Sequence, residues 1–170
     1  MKTIKNLFSI ILLGVFSIAA NLNAAPGGNN SETLTIVEHA NASEELKTLF
    51  ATITVSDLTE ILQSDGPFTI FAPSDEAFSK LPEGMLLSLI NPDNKEELIK
   101  LLANHVIIGE INSSDLTSGM ITKNVQGNSM KIDVSGDVVK INGSRIMTSD
   151  IKASNGIVHV VDQVILPPLK

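Results

Sequence analysis

"GPFTIFAPSDEAF", residues 66–78, decides the fold, because a strand runs into a helix within thirteen residues. Phe68, Ile70 and Phe71 make a short apolar run of strand type. Pro73 has no amide hydrogen and cannot continue a ladder. Ser74 is placed to cap the helix that carries Ala77, Phe78 and Leu81, and Asp75 and Glu76 sit in its first turn, where the helix dipole favours carboxylates. Strand-to-helix turns also hold nucleophiles in hydrolases. That elbow requires Gly-x-Ser-x-Gly, and here Asp75-Glu76 follow the serine with no second glycine. The stretch is a structural joint.

Upstream of the joint the periodicity is helical. Leu34, Val37 and Glu38 begin a short helix with His39 near its end. Ser43 with Glu44 and Glu45 has the chemistry of a second helix start, followed by Leu46, Leu49, Phe50 and Ile53 on one stripe. Ser56-Asp57 predicts a further cap before Leu58, Ile61 and Leu62, and Ser64-Asp65-Gly66-Pro67 stops that helix. Downstream, Met85 to Ile90 is a short helix. Asn94 with Glu97, or Asp93 with Glu96, predicts a capping box for the next one. Leu98, Leu101, Leu102 and His105 then share a stripe, which makes His105 a core histidine rather than a ligand or base.

After Gly109 the period becomes two. Met130, Ile132 and Val134 alternate with polar neighbours, Ser135-Gly136-Asp137 is a tight turn, and Asn142-Gly143 is a strong hairpin signal. Ser154-Asn155-Gly156 turns the chain into "IVHVVDQVILPP", apolar on both faces as a covered central strand is. Helices first and strands last, joined by the strand at 68–71, give an α+β fold.

The ends and the composition bound the function. Lys2 and Lys5, the uncharged run Leu7 to Ala20 and Leu22-Asn23-Ala24 have the three parts of a secretory signal peptide. Cleavage is expected after Ala24, with Ala20 and Ala25 as alternatives; a retained anchor is the rival reading, but the run is shorter than a bilayer span. Residues 25–31 are a flexible lead-in and 32–168 the folded domain. The 170-residue chain has no Cys, no Trp, no Tyr and a net charge of −7. Disulfides and lipid acylation of a cysteine are therefore excluded, and nucleic acid is a poor partner, lacking both a basic surplus and stacking platforms.

Three ordered stretches resemble the fasciclin (FAS1) domain. They are "FTIFAPSDEAF", "LLANHVIIGEI" and "NGIVHVVDQVILPP", and the likeness runs from about Ser31 to Pro168. The residues that carry it are Phe68, Phe71, Pro73, Ser74, His105, Asn155, Gly156, His159 and Asp162. Asn104 stands where the family has a tyrosine, which sets aside the integrin contact associated with that Tyr-His pair in animal members. The resemblance implies a compact β-wedge of mixed strands flanked by an N-terminal helical layer. It further implies an exported adhesion or interaction module of bacterial secreted type, without cofactor or catalytic machinery. The implied partner is a surface or matrix protein, and the rival is a periplasmic or extracellular binder of polysaccharide or a small apolar ligand. The candidate interaction surface is Asn104, Ile107, Ile108, Gly109 and Glu110, with the hairpin tips near Gly136 and Gly143.

A hydrolase is the weakest reading. His159 and Asp162 stand three apart on one strand and point to opposite faces, so they form no direct dyad. Asp93, Glu96 and Glu97 lack the loop spacing of a calcium site and are more simply a helix start.

Overall fold

The computed structural model of the chain describes residues 34–167; the expected signal segment and lead-in lie outside the described residues. The opening stretch forms strand β1, Phe68–Pro73, and helix α4, Asp75–Ser79. Before it come α1 (Ile36–Ala42), α2 (Lys47–Val55) and α3 (Thr59–Leu62). After it come α5 (Met85–Leu89), α6 (Lys95–Ala103) and β2 (Val106–Ile108), then β3 (Ile121–Lys123), β4 (Ser129–Ser135), β5 (Val138–Ile141), β6 (Ser144–Ala153) and β7 (Gly156–Val161).

The seven strands form one mixed sheet in the order β2-β1-β7-β6-β5-β4-β3. The first motif pairs directly with the last: β1 runs parallel to β7, from Phe68 opposite Gly156 to Pro73 opposite Val161. All six residues of β7 are buried, as its two-sided apolar run predicts. On one face Ile70, Ala72, Val106, Val158 and Val160 pack against Leu46, Leu49, Ile53, Leu98 and Leu101 of the helical layer. On the other face Phe71, Ile107 and Val161 meet Met130, Ile132 and Ile141, so β4 and β5 curl over the central strands. The loop after β3 returns to the opposite edge, where the Val125 amide donates to the Val106 carbonyl at 2.9 Å. This α+β wedge leaves the outer face of β3–β6 to solvent.

Several element boundaries differ from the sequence expectation. Val106–Ile108 is a strand, antiparallel to β1, because the helical stripe ends at Asn104 and His105 is held by the Leu102 carbonyl. Ser43 is the C-cap of α1 rather than the start of α2. Lacking a local cap, α2 takes one from the joint: the Thr48 amide donates to Asp75 Oδ1 at 2.7 Å. Ser56 closes α2, and Asp57 takes a left-handed φ of 58° instead of capping α3. Neither capping box proposed for α6 forms: Asn94 stands at the N-cap without a side-chain cap bond, its Nδ2 donating to the Ser88 carbonyl, and Asp93 lies in the 3-10 turn before it. Ile61 faces solvent, because α3 is a single turn and turns only Leu62 inward.

Candidate interaction surface

Ser74 does what its position predicts: its hydroxyl accepts from the Ala77 amide at 3.1 Å and caps α4. Phe71 is fully buried and stacks on His159, its partner on β7, with ring centroids 5.4 Å apart. Phe68, at the strand entrance, is partly buried against the helical core.

His159 is buried and committed at both nitrogens. Nε2 donates to the Ile111 carbonyl at 2.8 Å, and Nδ1 accepts from the Asp150 amide at 3.2 Å. The second contact needs the irregularity in β6, where Asp150 has a φ of 59°. Burial lowers the His159 pKa, against the Ile111 bond and the nearby Asp150 charge. Burial on its own would raise the Asp150 carboxyl, but bonds from the Ser113 hydroxyl and amide outweigh it and hold the group below the ordinary carboxylate range. Ser113, Asp150 and His159 thus meet in the wrong order for a triad, because the serine bonds the aspartate and the histidine bonds only main chain. Asp162 turns elsewhere and accepts from the Arg145 amide at 2.8 Å.

His105 is 1% exposed. Its Nδ1 donates to the Leu101 carbonyl at 2.8 Å and its Nε2 accepts from the Ile165 amide at 2.9 Å, tying α6 to the segment after β7. Burial pushes its pKa down to about 4, against the Leu101 bond. The ring is neutral and structural.

Asn155 carries more of the fold than a turn residue. Oδ1 accepts from the Ile36 amide at 3.0 Å, while Nδ2 donates to the Leu62 and Ser64 carbonyls at 2.6 and 3.2 Å. One amide therefore fixes the start of α1 and the end of α3 onto the β6–β7 turn. Gly156 follows because a Cβ there would meet the Phe68 carbonyl oxygen at 1.9 Å.

Two members of the expected interaction surface are interior. Asn104 is 1% exposed, donates to the Ile165 carbonyl at 3.0 Å, and accepts from the Asn124 amide. Ile107 lies in the second core, since β2 alternates and its middle residue faces β4 and β5. What remains open is Ile108, 72% exposed, with Glu110 beside it and Gly109 half-buried between them. The tips at Gly136 and Gly143 are exposed. A polar cleft of about 490 Å³ lies beside the joint, lined by Glu44, Glu45, Asp75, Glu76, Asp162 and Arg145 among others. Among the described residues no cluster of His, Asp or Glu is arranged to hold a metal ion.

The fasciclin domain matches residues 44–167. The chain belongs to the fasciclin family. Protein sll1483 of Synechocystis sp. is 43% identical over 136 residues, covering 80% of this chain and 75% of that protein. Human periostin is 33% identical over 133 residues, 78% of this chain but 16% of periostin. Among solved structures, a FAS1 domain pair from the insect cell adhesion molecule fasciclin I superimposes with a TM-score of 0.71, over 80% of this chain and 52% of that one. At 19% identity that likeness speaks for the fold alone. The seven-stranded wedge with its helical layer is thus the fasciclin fold. Among the described residues no helix of this domain is long and apolar enough to cross a membrane.

Proposed function

We propose that this fasciclin domain is an exported, non-catalytic module that makes protein contacts at the cell surface or in the surrounding matrix. The observation that carries the reading is a division of labour within the motifs. Ser74, His105, Asn155 and His159 are engaged in a helix cap and in buried hydrogen bonds, and no two of them are hydrogen-bonded as nucleophile and base. Ile108, two residues from the buried Val106 on the same edge strand, is held out in solvent. Its exposure, 72%, is the greatest of the large apolar side chains among the described residues, and Glu110 beside it is open as well, so this edge can make a side-chain contact. Fasciclin I is described as a cell adhesion molecule, and this chain's membership of the fasciclin family makes a contact role of that kind the one to test.

The test is a deletion strain compared with its parent for surface attachment, cell–cell aggregation and biofilm. The expected result is a loss restored by the wild-type gene and not by Ile108→Asp, a variant that should melt like the parent because its side chain is exposed. Unchanged attachment together with a clear metabolic defect would overturn the reading in favour of an enzyme.

A further inference from the structure

The acidic chain carries a cationic strip on the open outer face of β3–β6. Strand register puts the relevant side chains on one side. Lys131 and Asp133 alternate with the buried Met130 and Ile132 on β4. Lys140 stands opposite Asp133, and Arg145 opposite Lys140. Lys123 of β3 shares the face, opposite Ser129, two residues from Lys131. Four of the nine cations among the described residues are therefore gathered here, against one carboxylate of the face, Asp133. Asp133 pairs with Lys131 at 2.8 Å, while no ion pair among the described residues engages Lys123, Lys140 or Arg145. Lys140 and Arg145 are a directly opposed like-charge pair about 5 Å apart in backbone terms, an unfavourable arrangement that Asp133, on the far side of Lys140 and paired with Lys131, offsets only in part.

We propose that this strip binds a linear anionic polysaccharide, its carboxylates or sulfates lying along Lys123, Lys131, Lys140 and Arg145. Shape and surroundings select this occupant over other polyanions. The sheet curls, so the strip is a ridge. At its end the strip meets the acidic cleft, which Arg145 borders together with Glu44, Glu45, Asp75, Glu76 and Asp162. A single narrow chain can follow the ridge and meet one carboxylate there, Asp133, which Lys131 already pairs. A bilayer or a broad acidic protein would also face those carboxylates, on a molecule of net charge −7. Proteins that hold single-stranded nucleic acid add aromatic stacking platforms to a cationic groove, and the chain has no Tyr or Trp and places no Phe on these strands. The proposal does not rest on the protein-contact reading, since it uses neither Ile108 nor β2.

The experiment measures binding of the purified protein to calcium-free alginate oligomers and to uncharged dextran of equal length, at low and moderate salt. Retention of alginate alone is expected, weakening as salt rises. The triple variant Lys123→Gln/Lys131→Gln/Lys140→Gln should bind about tenfold more weakly or worse. The matching Lys→Arg triple should keep binding, and Lys47→Gln/Lys100→Gln, which changes net charge away from the strip, should bind as the parent does. Thermal melting of every variant checks the fold. Alginate binding insensitive to the triple, equal loss in the Lys47/Lys100 control, no binding at low salt, or tighter binding to phosphatidylglycerol vesicles than to alginate would each overturn the proposal. Because the assay uses purified components, its outcome is independent of whether the deletion strain loses attachment.

Discussion

At the scale of single residues, the motif positions His105, Asn155 and His159 act as buried connectors, and two of them give sharp predictions. His105 is neutral in the folded chain with a pKa near 4, against about 6.5 when unfolded. The unfolded state therefore binds the extra proton first, so this group's contribution is fully present above about pH 6.5 and is lost as pH falls toward 4. Integrated, it is worth roughly 3 kcal/mol, and the buried His159 adds in the same direction. Melting temperatures of the parent should rise from pH 4 to 6.5, and those of His105→Gln should rise less over that window. Parallel curves would show that the ring does not titrate as its burial requires. Asn155→Asp is the second test. It replaces two donors with oxygen acceptors facing the Leu62 and Ser64 carbonyls and buries a charge. The expected loss is roughly 3 kcal/mol in chemical denaturation, well beyond a surface substitution.

At the scale of elements, the joint couples two helices as well as a strand to a helix. Ser74→Ala should cost about 1 kcal/mol through the lost cap on α4. Asp75→Ala should cost a similar amount for a different reason, by freeing the Thr48 amide at the start of α2. Hydrogen exchange would separate them, with protection falling first in α4 for the one and in α2 for the other. The contrast marks what was legible in the sequence. Ser74, the Asn142-Gly143 hairpin (with φ of 46° and 89°) and the covered central strand follow from local chemistry and period, and the structure agrees. The α2 cap was not legible, because its donor and acceptor stand 27 residues apart. Asn155 was visible only as a turn residue, its partners lying 91 to 119 residues away. The interior place of Asn104 and Ile107 was hidden for a related reason. A three-residue strand such as β2 has too little alternation to show which side is buried, and that depends on β4 and β5 curling over it.

At the scale of the whole molecule, charge and export are linked. Loss of Lys2 and Lys5 with the expected signal segment would take the net charge from −7 to −9, leaving the cationic strip on a still more acidic body. Such a body repels anionic surfaces at a distance beyond the Debye length only weakly, but at contact it restricts productive approach to the face that carries the cations. Export is the condition for either partner to be met. Mass spectrometry of protein recovered from the envelope or the medium should show an N-terminus near Ala25. The recovered chain should elute from anion exchange later than a cytoplasmic form that keeps Lys2 and Lys5, because two cations are gone. An intact Met1 on protein confined to the soluble cytoplasm would sink the export argument and the surface role with it. The fold, the buried histidines and the cationic strip would stand, since each rests on residues 34–167 alone.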